Sequence, residues 1–115
     1  MDISKENQGK IDQLSLIEEN LRNFAIKKQG MQQEQLEINN AIEEIEKAEG
    51  NIYRIVGPVM VAADKISLKK ELDSKKELIE IKLTSIEKQE LRIKEKAQMI
   101  QKEVLEELEK NKNGK

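Results

Sequence analysis

The sequence predicts a mostly α-helical fold, in which two long helices form an antiparallel coiled-coil hairpin and are joined by one short β-hairpin. Apolar residues recur at alternating spacings of three and four in both halves of the chain, as in a coiled-coil seam. A central segment rich in β-branched residues interrupts that pattern. Only 2% of the 115 residues are aromatic and 38% are charged, so the apolar area must be buried along a seam or against other chains. One domain over residues 1–115 is expected.

The first helix is predicted over about residues 10–48. One heptad position is apolar at every repeat and holds Ile17, Phe24, Met31, Ile38 and Ile45. The other position holds Leu14, Leu21 and Ile42, and is interrupted by Lys28 and Gln35. Gly50 favours a helix end, because glycine readily adopts the left-handed conformation found just after helices.

A β-hairpin is predicted over residues 51–63. Its two strands, residues 52–56 and 59–62, flank the turn residues Gly57 and Pro58. Both faces of these strands are largely apolar, with Arg54 as the exception. An isolated two-stranded hairpin is marginal in water and cannot cover both of its own faces. The segment therefore predicts oligomerisation.

The second helix is predicted over residues 66–110, with Asp64 or Ser67 as its N-cap and residues 111–115 as a disordered tail. Its seam repeats every seven residues at Leu72, Ile79, Ile86, Ile93 and Ile100. The companion position holds Lys76, Leu83, Glu90, Ala97 and Val104. If paired positions sum to 114, three apolar layers form, namely Leu14 with Ile100, Leu21 with Ile93, and Ile42 with Leu72. A slip of one heptad would also give layers, so the register stays open.

The composition argues against an enzyme. The chain has no histidine and no cysteine, which removes the commonest general base and the strongest nucleophile. Carboxylates at helical spacing (Glu43, Glu44, Glu46 and Glu49) are interpreted as solvated helix surface rather than metal ligands. No catalytic residue, metal or other cofactor is expected.

The distribution of charge argues against binding to nucleic acid or to a membrane. The net charge is −2, and basic residues are mixed with acidic ones along the chain. The longest nearly uncharged stretch covers residues 55–63, far short of the roughly 20 residues that a membrane helix needs. The polar N-terminal residues do not resemble a secretory signal. A cytoplasmic protein is expected.

Apolar residues also lie off the main seam near both chain ends, at Ile11, Leu16, Met99, Leu105 and Leu108. Antiparallel packing would bring these ends together at a tip far from the β-hairpin. One interpretation is frayed helix ends with scattered exposed side chains. The other is an apolar tip that contacts other proteins. The pattern alone leaves both open.

Three segments resemble the β class of prefoldin subunits. The strand segment Ile52–Gly57 (IYRIVG), followed by Val59–Val61 (VMV), matches that family's aromatic residue, Val-Gly turn and second apolar strand. The segment Leu68–Glu90 is similar to the family's second helix. The segment Ala25–Gln29, followed by a Gln- and Glu-rich stretch to Glu46, is similar to its first. The likeness covers about residues 20–95, while the termini diverge. The second helix is most similar to archaeal β subunits, whereas Gly57-Pro58-Val59 also resembles the sixth eukaryotic subunit, so both alternatives stay open.

The resemblance implies a role in protein folding. In prefoldins the β-hairpins of six subunits join into a double β-barrel platform that carries six coiled coils. Archaeal hexamers combine two α-class with four β-class chains, and eukaryotic hexamers combine six different chains. The distal tips hold unfolded client proteins without ATP and pass them to a group II chaperonin. By this resemblance the assembly residues would be Ile52, Ile55, Val56, Val59 and Val61. The client-binding tip would comprise Ile11, Leu14, Ile17, Ile100, Val104 and Leu108.

Two other functions fit parts of the pattern. A structural coiled-coil assembly or arm without client binding would explain the heptads, but gives no reason for strands that are apolar on both faces. An RNA-binding coiled-coil arm would need more positive charge on one face than this chain has.

Overall fold

Two long helices flank an antiparallel pair of strands in the computed structural model, which describes residues 4–114 and the side chains of residues 4–110. The elements are α1 (Lys5–Lys47), β1 (Ile52–Val56), β2 (Val59–Ala63) and α2 (Lys65–Gly114). This arrangement is the predicted fold class. Along residues 4–114, neither helix contains a segment both long and apolar enough to cross a membrane.

Helix α1 begins earlier than the predicted residue 10, at Lys5. Ser4 caps it, because the backbone N–H of Asn7 donates to Ser4 Oγ at 3.1 Å. At its other end the backbone N–H of Ala48 still donates to the Glu44 carbonyl at 3.0 Å. Gly50 then takes a positive φ of 86°, which turns the chain toward β1.

Helix α2 begins at Lys65, and its N-cap is Asp64 rather than Ser67. Asp64 Oδ2 accepts hydrogen bonds from the backbone N–H of Ser67 at 3.0 Å and from Ser67 Oγ at 2.8 Å. The helix continues to Gly114. The expectation of a disordered tail at residues 111–115 is therefore wrong for residues 111–114, because this segment lacks proline and can extend a helix that is already formed.

The two strands pair from Ile52 with Ala63 to Val56 with Val59. Gly57 has a φ of 58° at the first position of the two-residue turn. Two-residue hairpin turns of the primed types need a positive φ there, and glycine supplies it without steric cost. Strand β2 extends to Ala63, one residue beyond the predicted strand.

The chain divides into two compact units. The terminal unit comprises the described parts of residues 1–27 and 85–115. In it, three buried side chains form a cluster with partly buried neighbours: Ile17, Ile100 and Val104, with Leu14, Leu21, Ile93, Ala97 and Leu108. We call this set the terminal cluster. Leu14, Ile100, Leu21 and Ile93 all lie in it, which fits paired positions that sum to 114.

The hairpin unit comprises residues 28–84 and contains both strands. Its core consists of three buried side chains with partly buried neighbours: Ile38, Ile79 and Leu83, with Met31, Ile42 and Leu72. The core includes both members of the predicted layer of Ile42 and Leu72. Gln35, which interrupts the heptad pattern in this unit, is only partly buried.

Candidate functional site

The β-hairpin presents apolar side chains to solvent on both of its faces. Ile55 is 75% exposed and its cross-strand partner Met60 is 66% exposed. Val56 and Val59, which pair with each other on the opposite face, are also more than half exposed. Apolar area that the chain itself does not cover is typical of a surface that another protein covers. We call the seven larger apolar residues of the two strands the hairpin surface: Ile52, Tyr53, Ile55, Val56, Val59, Met60 and Val61.

The structure places four of the five predicted assembly residues at the surface. Ile55, Val56, Val59 and Val61 are exposed, whereas Ile52 is partly buried. The sequence-based selection omitted Tyr53 and Met60, which are equally exposed. The signal that could have identified Met60 is the pairing register, because a two-residue turn at residues 57–58 sets it opposite Ile55.

An ion pair within the hairpin unit connects β1 to α2. Arg54 Nη1 lies 3.0 Å from Glu71 Oε2, and Arg54 Nη2 lies 3.2 Å from Glu71 Oε1. This two-point contact fixes the orientation of both groups better than a single hydrogen bond does. Hydrogen bonds from Arg54 and its positive charge hold the pKa of Glu71 below its ordinary value of 4.5. The one charged residue of the hairpin strands thus ties the hairpin to the helix.

Two lysines at the start of α2 bind the end of α1. Lys65 Nζ donates to the carbonyl oxygen of Ala48 at 3.1 Å and to that of Glu46 at 3.4 Å. A cation is favourable there, because the last carbonyl groups of a helix carry partial negative charge. Lys69 Nζ lies 2.7 Å from Glu46 Oε1. The hydrogen bond and charge of Lys69 lower the pKa of Glu46, and those of Glu46 raise the pKa of Lys69.

An open groove lies in the hairpin unit between the strands and the adjoining ends of the helices. Its lining is mainly apolar and includes Ile45, Ile52, Tyr53, Met60, Leu68 and Leu72. Tyr53 and Met60 belong to both the groove and the hairpin surface. The exposed apolar area is therefore continuous from the strands onto the helices.

The predicted client-binding residues lie in the terminal unit, and most of them are covered. Ile17, Ile100 and Val104 are buried in the terminal cluster, and Leu14 and Leu108 pack against them. Ile11 is partly buried and does not belong to that cluster. The seam thus brings five of the six residues together, but in a closed arrangement that presents little of their area to solvent.

Exposed apolar side chains of the terminal unit lie off the seam. Leu16, Met99 and Leu105 are each more than half exposed. The two helices of this unit are also joined by charge, because Lys10 Nζ lies 3.5 Å from Glu103 Oε2 and 3.9 Å from Glu107 Oε2. These surface ion pairs are weak individually and restrain the helix ends only modestly.

Acidic side chains are frequent on both helices. Within the described part of the chain, no three acidic side chains converge in the way a metal ion requires. Two carboxylates of α1 pair with lysines, Glu43 with Lys47 at 3.6 Å and Glu46 with Lys69 at 2.7 Å. The exposed side chains of the hairpin surface are apolar, which is typical of a surface that another protein covers.

Comparison with known proteins points to one family. A family model described as prefoldin subunit matches residues 8–113. The prefoldin subunit beta of Saccharolobus islandicus is 32% identical over 107 residues, covering 91% of this chain and 85% of that protein. The prefoldin subunit beta of Thermococcus onnurineus is 36% identical over 96 residues, covering 82% of this chain and 83% of that protein.

A solved structure agrees with these sequence relatives. The crystal structure of the prefoldin beta subunit from Thermococcus strain KS-1 superposes with a TM-score of 0.86 at 28% sequence identity. The match covers 93% of this chain and 96% of that one. A family model that spans nearly the whole sequence, relatives above 30% identity and a shared helix–hairpin–helix fold lead to one conclusion. The chain belongs to the prefoldin subunit family.

Proposed function

We propose that this chain is a β-class subunit of a hexameric, ATP-independent holdase in the cytoplasm, which binds unfolded proteins and delivers them to a group II chaperonin. Its partners would be α-class prefoldin subunits and further β-class subunits. The hairpin surface would form the subunit interfaces, and the terminal unit would hold clients. No cofactor, nucleic acid or membrane takes part in this function.

The observation that carries the proposal is the exposed apolar hairpin. Ile55 and Met60 form a cross-strand pair on one face, while Val56 and Val59 form a pair on the other. The strands also have free outer edges, because within residues 4–114 the sheet contains only β1 and β2. Pairing with strands of other subunits would satisfy the edge N–H and C=O groups and cover both apolar faces.

The first test is the mass of the purified chain in solution, measured by sedimentation equilibrium alone and with an α-class prefoldin subunit. We expect a hexamer of two α-class and four β-class chains. Ile55→Lys should prevent its formation, because a lysine would be buried without a partner in the interface. Ile81→Lys is the matched control, since Ile81 is an isoleucine on α2 that is 66% exposed, against 75% for Ile55. A chain that forms no complex with any α-class partner would leave a structural coiled-coil arm as the better interpretation.

The second test concerns client holding. The double variant Leu14→Ser with Val104→Ser should still assemble but should protect an aggregating client less well, because it removes apolar area from the terminal cluster. Ile38→Ser with Leu72→Ser is the control, since it likewise replaces one buried and one partly buried apolar residue, but in the core of the hairpin unit. Equal protection by the first variant and the wild type would contradict the assignment of client binding to the terminal unit.

A further inference from the structure

The side chain of Asn7 is the most completely enclosed side chain among the described residues. Its exposed fraction is 0%, and neither Nδ2 nor Oδ1 has a hydrogen-bond partner. Asn7 lies seven residues before Leu14 and fourteen before Leu21, so it occupies the same heptad position as these apolar residues. Asn7 thus places a polar amide at a seam position of the terminal unit that is apolar in the following two heptads.

Two polar side chains of the helix ends, Ser4 and Glu107, already have hydrogen-bond or ion-pair partners. Ser4 Oγ accepts a hydrogen bond from the backbone N–H of Asn7 and donates to Glu107 Oε1 at 3.2 Å. Glu107 also lies within ion-pair distance of Lys10. Buried asparagines in coiled coils usually fix the register by pairing with a partner across the seam. Asn7 has no such partner, so pairing does not explain its place there.

An unpaired buried amide favours the open state of its surroundings. In the closed arrangement its donors and acceptor have lost water without gaining a protein partner. When the helix ends separate, water satisfies these groups, and the penalty disappears. The equilibrium for local opening is shifted by that penalty, roughly five- to hundredfold by the usual range for an unsatisfied buried polar group.

Opening would uncover the part of the terminal cluster that is otherwise closed. Leu14 follows Asn7 by two helical turns, and Leu108 packs on the same cluster beside Val104. We propose that Asn7 controls client access, because its unpaired buried amide keeps the last seam layer weak and so lets Leu14, Val104 and Leu108 become exposed to an unfolded chain. This inference rests on the proposed holdase function.

The variant that tests it is Asn7→Leu, which restores an apolar residue to the seam. In the assembled complex, we expect amide hydrogen exchange at residues 8–14 and 104–110 to slow about tenfold. Protection of insulin that aggregates after reduction by dithiothreitol should fall by a comparable factor. That reductant leaves this chain intact, since it contains no cysteine.

The matched control is Gln35→Leu. Gln35 interrupts the same heptad position but belongs to the hairpin unit and is partly exposed. This variant also strengthens the seam, so it separates a local effect of Asn7 from a general gain in stability. We expect it to leave both the exchange of residues 8–14 and insulin protection unchanged.

Three results would overturn the inference. If Asn7→Leu leaves exchange at the helix ends unchanged, the amide does not govern opening. If exchange slows while protection persists, and Leu14→Ser with Val104→Ser still weakens protection, the access role fails but the proposed function stands. In the third result, Asn7→Leu slows exchange, but neither Asn7→Leu nor Leu14→Ser with Val104→Ser changes protection. Client binding then does not involve the terminal cluster, and the proposed function fails together with the inference.

Discussion

The burial of Ile79 in the hairpin unit allows a quantitative test of the seam. Ile79 is 6% exposed and packs with Ile38 and Leu83. Replacement by alanine removes one methylene and two methyl groups. Their transfer free energy is about 2.4 kcal/mol, at roughly 0.8 kcal/mol for each buried group. Alanine's better helix propensity returns a few tenths of a kcal/mol, and any cavity left behind adds to the loss. We expect Ile79→Ala to lower the free energy of unfolding by about 2–3 kcal/mol.

Ile81 provides a control with the same chemistry on the same helix. It is 66% exposed, so only about a third of the same transfer free energy applies. After the gain in helix propensity, Ile81→Ala should cost less than about 0.5 kcal/mol. Both variants are measured by urea unfolding, followed by far-ultraviolet circular dichroism at equal chain concentration. Equal losses for the two substitutions would refute the assignment of Ile79 to the seam and Ile81 to the solvent face.

Three further predictions concern the ion pair, a helical glycine and the turn. The pKa of Glu71 is lower in the folded chain than its ordinary value of 4.5. The ion pair of Glu71 with Arg54 therefore stabilises the folded chain above pH 4.5, and this stabilisation is lost as the pH falls through the lowered pKa. Arg54→Met should therefore reduce the loss of stability between pH 5 and pH 3 in acid titrations of thermal unfolding. Gly30→Ala should raise the free energy of unfolding by about 0.5–1 kcal/mol in urea, since a Cβ there meets no atom within 4 Å; no gain would show that Gly30 has a role other than helix formation. Gly57→Ala should cost about 1 kcal/mol and weaken hexamer formation in sedimentation, because Gly57 has a positive φ, whereas Gly57→Asn should be better tolerated.

The order of elements could be predicted because its signals are local. Heptad spacing, the β-branched strand residues and the Gly57-Pro58 turn each act within a few neighbours along the chain. The predicted limits of the helices were less accurate. Helix α1 begins after the Ser4 cap, where no strong apolar repeat marks its start. Helix α2 continues through polar residues to Gly114. Asp64 and Ser67 were equivalent candidates for the N-cap of α2. Only the geometry of the turn before the helix selects Asp64.

The assignment of site residues was less complete. The exposed hairpin residues could be inferred from composition, because two short strands cannot cover their own apolar faces. Their use in assembly, and the use of the terminal cluster in client binding, stay predictions. Polar residues in the seam, such as Gln35, are predicted from the sequence as interruptions, whereas Asn7 precedes the first helix as predicted. Whether they are exposed or enclosed depends on how closely the facing helix approaches.

The sequence by itself determined the two helices, the hairpin between them and the apolar repeat that forms the seam. These follow from periodicity and turn chemistry, which are properties of neighbouring residues. Tertiary structure alone decided that Arg54 forms an ion pair with Glu71, that Lys65 donates to the last carbonyl groups of α1, and that the Asn7 amide is buried without a hydrogen-bond partner. Each of these depends on groups that are brought together only when the chain folds back on itself, and local pattern does not encode their distances.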